Sequence, residues 1–405
     1  MKTSIAAIIL TLLLAQASFS SLIVKELPGS GLVAVSIFIK AYGPAAALTA
    51  GMLDKGTKTR SADKIAEEIE SMGASIGIES NPDYTGVSFL SLSKDFPKGA
   101  EILKDLLSNS IFPQKEFTKE KADALAEIKQ AEDNPDAMAY DTLLSMLYPN
   151  HPYGLSFKEK AAYVKRVTRQ DLVSFYRQSY REKNMVVAIA GDITSAEAAR
   201  FFGDSDRGGD GKNSLPSVKS NPKEINRTIK NKNLKADWLQ IGYLGTSVFD
   251  ADYPALKVLS SILGSGMSSR LFEEVRKKSG LVYSIGAFYP SRKEKSDFTV
   301  YAITGHDNLQ KVKTLIFNEI EKIKKTPVTE AELNHHKRAI RGKYVIQHQE
   351  LSRKAWFLGW FEAVGLGAAM DQNYPNLINA VKIEDIQRVA QKYLKYPKTV
   401  VLTAN

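Results

Sequence analysis

The chain has 405 residues, of which 43% are hydrophobic and 25% are charged, a composition typical of a globular protein long enough for two or three domains. It contains no cysteine, which excludes disulfide bonds, thiolate catalysis, and zinc or iron–sulfur sites with cysteine ligands. The formal net charge of +10 is spread along the chain. No dense basic block carries interleaved aromatic residues, so we expect no nucleic-acid ligand.

The N-terminus has the features of an export signal. Lys2 is followed by an apolar run over residues 5–14 and by the small-residue site Ala15-Gln16-Ala17, which predicts a signal peptide over residues 1–17 with cleavage near Ala17. The run is shorter than the roughly 20 apolar residues that span a bilayer, so no membrane partner is expected. A cysteine-free exported chain suits a bacterial periplasm, and we expect a periplasmic or secreted protein. An uncleaved anchor and a buried first helix are the alternatives.

Strand and helix patterns alternate in the first half without a strict βαβ rhythm. The segments "LIVKEL" and "LVAVSIFIKAY" flank Pro28-Gly29-Ser30-Gly31, which predicts a hairpin, and "YTGVSFLSLS" reads as another strand. An Ala-rich helical stretch, "GPAAALTAGMLDKGT", lies between these strands. The pattern indicates an α+β layered fold with a mostly antiparallel sheet.

The sequence repeats itself once. A helix followed by a β-branched strand begins at Val167 and again at Val381, and Pro113 corresponds to Pro327, in both cases at an offset of 214 residues. The segment "SMGASIGIE" similarly resembles "KSGLVYSIGA" at an offset of 207. A repeat of this length predicts two homologous domains rather than a solenoid.

The predicted boundaries follow from the repeat and from one polar stretch. Residues 203–224 are rich in Gly, Ser, Asp, Asn and Pro and are predicted to be a linker. The N-terminal domain then covers residues 18–202 and the C-terminal domain residues 225–405. Each is expected to be a mostly antiparallel sheet covered by helices.

Along nearly all of its mature length the chain resembles the insulinase/pitrilysin family of zinc peptidases, in the short two-domain form. Five motifs in family order carry the resemblance: "DKGTKTRSADKIAEEIESMGAS", "EKADALAEIKQAEDNPDAMAYD", "HPYG", "VTRQDLVSFYRQSYREKNMVVAIAGD" and "GSGMSSRLFEEVRKKSGLVYSIGAFY". In that family a helix just before the Lys-Gly-Thr (here residues 55–57) carries His-x-x-Glu-His. Two histidines at i and i+4 share one helical face and bind Zn²⁺, and the glutamate is the general base. Zinc lowers the pKa of its bound water to roughly 7.

The resemblance places none of these three side chains on this helix. The two histidine positions fall on Ala47 and Gly51, and the base position falls on Ala50. The position of the third zinc ligand falls on Glu127, which is retained, as is its upstream companion Glu120. One carboxylate does not hold zinc against water, so we expect no metal in this chain. An unrelated Ala-rich core helix is the alternative interpretation.

The histidines elsewhere do not supply an obvious substitute site. No histidine precedes His151, and His335 and His336 are adjacent, so their side chains diverge by about 100° on a helix. His306 and His348 have no partner at i,i+4 spacing.

The second half retains a pair that the resemblance identifies as functional. Arg276 and Tyr283 have the spacing at which an Arg and a Tyr of the family reach into a partner's active site, bind the substrate backbone and stabilise the tetrahedral oxyanion. The alternative is structural: Arg276 would form a surface ion pair with Glu273 or Glu274, and Tyr283 would be half-buried on a strand.

The resemblance therefore implies a pseudoenzyme subunit. The first hypothesis is the non-catalytic, substrate-binding subunit of a heterodimeric zinc metallopeptidase, in which zinc belongs to a homologous partner that keeps the His-x-x-Glu-His motif. Peptides would be the substrates, and this chain would not be active alone. The second hypothesis is a peptidase-derived binding or structural assembly protein with no peptidase role. The third is a lone active enzyme with unusual metal ligands.

Overall fold

The computed structural model describes residues 21–203 and 214–404, so the predicted signal peptide and part of the predicted linker lie outside the described residues. The strands in the described part are β1 (Ser21–Glu26), β2 (Leu32–Ile39), β3 (Ser75–Asn81), β4 (Tyr84–Leu92), β5 (Met185–Gly191), β6 (Ile225–Lys230), β7 (Asp237–Leu244), β8 (Val282–Phe288), β9 (Asp297–Thr304) and β10 (Lys398–Thr403).

Helices account for most of the remaining chain. They are α1 (Ala45–Gly51), α2 (Ala62–Ser71), α3 (Phe96–Asn109), α4 (Gln114–Asp133), α5 (Pro135–Leu147), α6 (Phe157–Arg166), α7 (Arg169–Ser179), α8 (Ser195–Phe202), α9 (Tyr253–Gly264), α10 (Leu309–Lys325), α11 (Glu330–Gln347), α12 (Leu351–Val364), α13 (Met370–Ala380) and α14 (Ile383–Tyr393). The segment Phe272–Lys278 is a π-helix.

Each half of the chain forms a five-stranded sheet, and the two sheets have the same strand order. The first runs β1-β5-β2-β4-β3 and the second β6-β10-β7-β9-β8. One outer pair in each sheet, β1 with β5 and β6 with β10, is parallel, and all other pairs are antiparallel. The predicted α+β class with two mostly antiparallel sheets is confirmed.

The repeat seen in the sequence matches the elements of the structure. Helix α14 begins and ends 214 residues after α7, and the edge strand β8 begins and ends 207 residues after the edge strand β3. Both helices have an apolar face that packs on their own half. Equivalent segments of the two halves therefore occupy equivalent places in the two sheets.

The predicted hairpin between the first two strands is wrong. β5 lies between β1 and β2, parallel to β1 and antiparallel to β2. Every residue of β5 is buried, so this strand needs a neighbour on each side and takes an inner place in the sheet. The turn after β1 instead passes over the end of β5, where the Leu27 N–H donates to the Gly191 carbonyl at 2.7 Å.

One helix of each half packs on the sheet of the other half. α12 lies against β2 and β5, and α5 lies against β7 and β10. Glycines allow close approach at both contacts. A methyl group on Gly359 of α12 would lie 2.6 Å from the Phe38 ring and 2.9 Å from Ala188, and one on Gly242 of β7 would lie 2.9 Å from Leu143.

The start of β9 and the loop before it join the halves through a buried carboxylate. Asp297 has no solvent-exposed surface and accepts hydrogen bonds from Tyr140 at 3.0 Å and Tyr148 at 3.3 Å, both on the first half. Arg292 donates to the same carboxylate at 3.1 Å. Burial of a charge is costly unless it is paired and hydrogen-bonded, so this cluster fixes the loop on α5.

The two sheets fall inside the two predicted domains, but α5 and α12 cross between them. The boundaries at residues 203 and 224 therefore stay a prediction. Among the helices of the described residues, none has both the length and the apolar character needed to cross a bilayer.

Helix α12, which packs on the sheet of the other half, provides a test of close packing. We expect Gly359→Ala to lower the free energy of unfolding by about 1–3 kcal/mol, because the added methyl group overlaps the buried Phe38 ring. The matched control is Gly342→Ala in α11, where nothing lies within 4 Å of the added group and helix propensity should stabilise the protein by up to ~1 kcal/mol. Denaturant unfolding measures both. Equal effects of the two substitutions would contradict the described packing of α12.

Candidate functional site

Helix α1 is the short Ala-rich segment where the family's metal motif is expected. Its small side chains pack closely against β3 and α7, and most of its residues are buried. Ala47 is the exposed exception, and it lines an open cavity of about 530 Å³. The end of β3 with the start of the β3–β4 turn (residues 80–82) and the segment 150–155 form further walls.

The Lys-Gly-Thr that follows α1 has a structural role. Thr57 donates to the Asp105 carboxylate of α3 at 2.6 Å, Thr59 donates to it at 2.8 Å, and Arg60 forms an ion pair with it at 2.8 Å. Burial opposes ionisation of Asp105, but these hydrogen bonds outweigh it and lower its pKa. Gly56 has φ of 137°, which a side chain would strain, so the turn is fixed by its backbone and by Asp105.

The position of the second family histidine is occupied by a carboxylate from another helix. A methyl group on Gly51 would overlap the carboxylate of Glu120, which reaches from α4 into the space that a side chain would fill. Glu127, at the third-ligand position, is exposed and lies about two helical turns after Glu120 on α4. The structure thus brings Glu120, rather than Glu127, against α1.

The environment of Glu120 disfavours its charge. Burial raises its pKa, the charges of Asp123, Asp54 and Glu127 raise it further, and Lys55 opposes them. A bound dication would reverse this effect, but the side chains at positions 47, 50 and 51 provide no nitrogen or oxygen donor. Among the described residues no group of three or more His, Asp or Glu side chains could hold a metal ion. The residues present therefore do not fit a zinc ion of the family type.

The five histidines form hydrogen bonds within the protein. His151 is buried, and its Nδ1 accepts from the Tyr153 N–H at 3.1 Å, so its Nε2–H donates to the Pro216 carbonyl at 2.8 Å. The other four have partners in the second half: Asp237 for His306, Ser268 for His335, Ser261 for His336 and Asp371 for His348. The "HPYG" histidine thus fixes a turn beside the cavity.

Arg276 and Tyr283 lie at one edge of the second sheet. Arg276 is in the π-helix and is exposed, and its guanidinium lies 5.3 Å from the Phe272 ring. Tyr283 is the extra residue of a β-bulge in β8, between the paired residues Val282 and Ser284, and is 67% exposed. Bulges re-aim side chains, and π-helical turns occur often at functional sites.

The structural alternative for this pair does not match the contacts. Glu273 pairs with Lys277 at 2.9 Å and Glu274 pairs with Lys278 at 2.5 Å, each at i,i+4 spacing. Within the described residues Arg276 has no ion-pair partner, and the Tyr283 hydroxyl has no hydrogen-bond partner. Tyr283 is also exposed rather than half-buried. Both polar groups are therefore available to a second molecule.

The sequence analysis did not identify a second cavity, which lies between the halves beside α9. Lys257 lines it, together with the aromatic residues of "AWFLGWF" in α12. A lysine within the otherwise apolar helix "YPALKVLSSILG" and a cluster of two tryptophans and two phenylalanines were the signals in the sequence.

Comparison with known families gives two matches that together cover most of the chain. The model described as insulinase (peptidase family M16) matches residues 43–160, and the one described as peptidase M16 inactive domain matches residues 166–340. An uncharacterized zinc protease of Rickettsia felis is 30% identical over 347 residues, which is 84% of this chain and 82% of that protein. The uncharacterized zinc protease YmxG of Bacillus subtilis is 27% identical over 84% of this chain and 83% of its own length.

Solved structures show the same fold. A peptidase M16 inactive domain from Pseudomonas fluorescens superposes with a TM-score of 0.87 at 21% identity, covering 96% of this chain and 97% of its own. A protease from Helicobacter pylori gives a TM-score of 0.86 at 21% identity, covering 95% of this chain and 98% of its own.

The carboxylate beside Gly51 provides a pH-dependent test. The pKa of Glu120 is higher in the folded protein than in the unfolded chain. Above the folded-state pKa, ionised Glu120 therefore lowers the free energy of unfolding, and below the unfolded-state pKa, where the group is protonated in both states, it has no such effect. We expect Glu120→Gln to raise the free energy of unfolding at pH 7 and to have no effect near pH 4. Denaturant unfolding at both pH values measures this.

The control for this test is Glu101→Gln, which removes one negative charge from an exposed position of α3. It should leave the free energy of unfolding nearly unchanged at both pH values. A loss of stability in Glu120→Gln at pH 7 would show that the Glu120 charge is stabilised, against the environment described here.

Proposed function

Because this chain belongs to the insulinase family of peptidases (family M16), we propose that it is a non-catalytic, substrate-binding subunit of a heterodimeric zinc metallopeptidase that processes peptides. Zinc is held by a homologous partner subunit with an intact His-x-x-Glu-His motif. This chain supplies Arg276 and Tyr283 to the partner's active site. The assembly works in the periplasm or outside the cell, after removal of residues 1–17.

The observation that supports this proposal most strongly is the contrast between the two halves. In the first half the metal-motif positions carry no donor atom, and a neighbouring carboxylate fills the space beside Gly51. In the second half Arg276 and Tyr283 present a guanidinium and a phenol that have no polar partner in the described part of the chain. Loss of one function with retention of the other is expected of a subunit that complements a second chain.

The chemistry of the pair suits a developing oxyanion. A guanidinium offers several N–H donors in a fixed plane, and a phenol adds one directional O–H donor. The hydrogen bonds that these two groups donate are strongest when negative charge develops on a substrate oxygen in a site that excludes water. In the isolated chain both groups are solvated, so they have this effect only once a partner covers them.

The location of the pair also suits contact with another chain. β8 is the outermost strand of its sheet, and the bulge turns Tyr283 out of the strand pairing. Met267, in the loop before the π-helix that carries Arg276, is 76% exposed and adds apolar surface to this segment. An exposed sheet edge with aromatic and apolar side chains is a suitable docking surface for a partner or a peptide.

The experiment reconstitutes the assembly from purified chains. The partner is the homologous chain of the same organism that carries His-x-x-Glu-His, and the readout is cleavage of an internally quenched peptide. We expect no cleavage by this chain alone and zinc-dependent cleavage by the mixture. Arg276→Ala and Tyr283→Phe should each reduce kcat by roughly 100- to 1,000-fold, as for loss of one oxyanion donor.

The matched control is Lys277→Ala, which removes a neighbouring cation that is already paired with Glu273. It should leave kcat and the zinc content of the mixture unchanged. Full turnover by Arg276→Ala would refute the role of the pair. Cleavage by this chain alone would refute the assignment as a non-catalytic subunit. Complex formation without any cleavage would favour a structural assembly protein.

A further inference from the structure

A second cavity, of about 410 Å³, lies between the two halves of the molecule. Its walls come from α9, α11, α12 and α13 of the second half, from the β8–β9 loop, and from the β3–β4 turn of the first half. This volume is in the range of cavities that hold small organic ligands. The turn residues Asn81 and Pro82 line both this cavity and the one beside α1.

The internal repeat relates the two cavities. In the first half α1 packs on β3, α4 and α7, and in the second half α9 packs on β8, α11 and α14. Strand β8 is the repeat of β3, so α9 is the repeat of α1. The cavity beside α9 is therefore the counterpart, in the second half, of the cavity beside the former metal helix.

The walls of the cavity beside α9 are aromatic. Trp356 and Trp360 of α12 stack with ring centroids 5.7 Å apart, and Phe357 lies next to them. Tyr344 and Tyr374, whose ring centroids are 4.9 Å apart, extend this wall, because Tyr344 also lies 4.9 Å from Phe357. Such a lining favours an apolar ligand body of the size of an aromatic or branched side chain.

Two cations project from these walls without a carboxylate partner in the described residues. Lys257 of α9 keeps part of its surface open to the cavity, and its Nζ donates one hydrogen bond, to the Tyr289 carbonyl at 2.8 Å. Arg353 of α12 lies over the rings of Trp356 and Phe357, at 4.6 and 5.1 Å.

The other charged groups of the cavity are one ion pair and one hydrogen-bonded carboxyl group. Arg292 forms its ion pair with Asp297 at 3.1 Å. Asp83 accepts hydrogen bonds from the Tyr153 hydroxyl and the Lys293 N–H. Among the described residues that line the cavity, two cations without an ion pair thus face one carboxyl group without an ion pair. This excess of positive charge disfavours cations and metal ions and favours an organic anion.

We infer that the cavity beside α9 binds a carboxylate attached to an apolar side chain, with Lys257 and Arg353 holding the carboxylate and the aromatic walls holding the apolar group. The C-terminal residue of a peptide and a free amphipathic carboxylic acid share this chemistry. Lys257 and Arg353 have no carboxylate partner among the described residues, and the carboxylate of the ligand would form an ion pair with both. The site belongs to this chain alone and does not depend on the proposed zinc partner.

Electrostatics supports the inference. Burial lowers the pKa of Lys257 to about 8, which means that its charge lacks a compensating partner in the free protein. The tyrosines that face it titrate far higher: burial raises the pKa of Tyr253 to about 12, and the pKa values of Tyr344 and Tyr374 lie further above. Burial opposes the charge of Arg292, but proximity to Asp297 outweighs it and raises the pKa of Arg292, and burial raises the pKa of Asp83.

Tryptophan fluorescence of the whole chain is the direct test, because two of its three tryptophans line the cavity. Trp238→Phe removes the third, which lies on β7. The probes are N-acetyl-phenylalanine, a pentapeptide ending in phenylalanine, and the C-terminal amide of each. We expect both acids to change the fluorescence saturably and the amides to bind at least about tenfold more weakly.

Lys257→Met tests the cation while keeping the length of the side chain. It should weaken binding of the acids by at least about tenfold without weakening binding of the amides. Because it removes a buried unpaired charge, it should not lower the melting temperature, so a loss of binding is not a loss of folding. Lys311→Met, at an exposed position of α10, is the matched control and should bind the acids like the parent chain.

The pH dependence gives an independent readout. Binding of the acids should weaken by about tenfold between pH 7 and pH 9.5, as Lys257 loses its proton, and this dependence should be absent in Lys257→Met. Tighter binding of the pentapeptide than of N-acetyl-phenylalanine identifies a peptide C-terminus as the ligand, and equal binding identifies a free carboxylate. Absence of saturable binding by both acids, or equal binding of acids and amides, would overturn the inference.

Discussion

The carboxylate of Asp297 is the constraint on which the arrangement of the two halves depends. It is fully buried, and a buried carboxylate is tolerated only when its charge and its lone pairs are satisfied. Arg292 of the β8–β9 loop supplies the positive charge, and Tyr140 and Tyr148 supply hydroxyl groups from the other half. Burial opposes the charge of Arg292, but proximity to Asp297 outweighs it and raises the pKa of Arg292. Helix α5 is thereby held across the second sheet, and the halves form one packed unit.

This junction also shapes both cavities. The β8–β9 loop that carries Arg292 contacts the β3–β4 turn, where the Lys293 N–H donates to Asp83 at 3.3 Å. That turn is the partition between the cavity beside α1 and the cavity beside α9. The aromatic face of α12 is fixed in turn, because Gly359 brings this helix onto the first sheet. The cavity beside α9 is consequently formed where the halves meet, whereas the cavity beside α1 is lined by residues of the first half.

The first half shows how a scaffold is maintained without its metal chemistry. The contacts that fix the end of α1 run through Thr57, Thr59 and Asp105 and do not involve the positions of the family's ligands. The metal-motif positions can therefore be small residues while the turn and the cavity persist. In the second half the same fold presents cations: Arg276 at the sheet edge, and Lys257 on the helix equivalent to α1. The two halves thus differ in the side chains that one repeated framework carries.

The sequence by itself determined the two-fold repeat, the α+β class, and the absence of zinc donors on α1, because these depend on residue types and spacing along the chain. It also located Arg276 and Tyr283, although their roles stay a prediction. Only the tertiary structure decided that β5 separates β1 from β2, that Glu120 rather than Glu127 lies against Gly51, and that Lys257 faces an aromatic cavity. These features arise from contacts between segments far apart in the chain, and local patterns carry no information about which distant segment fills a given space. A hairpin signal is satisfied by any turn, whereas the buried surface of the whole sheet determines which strands pair.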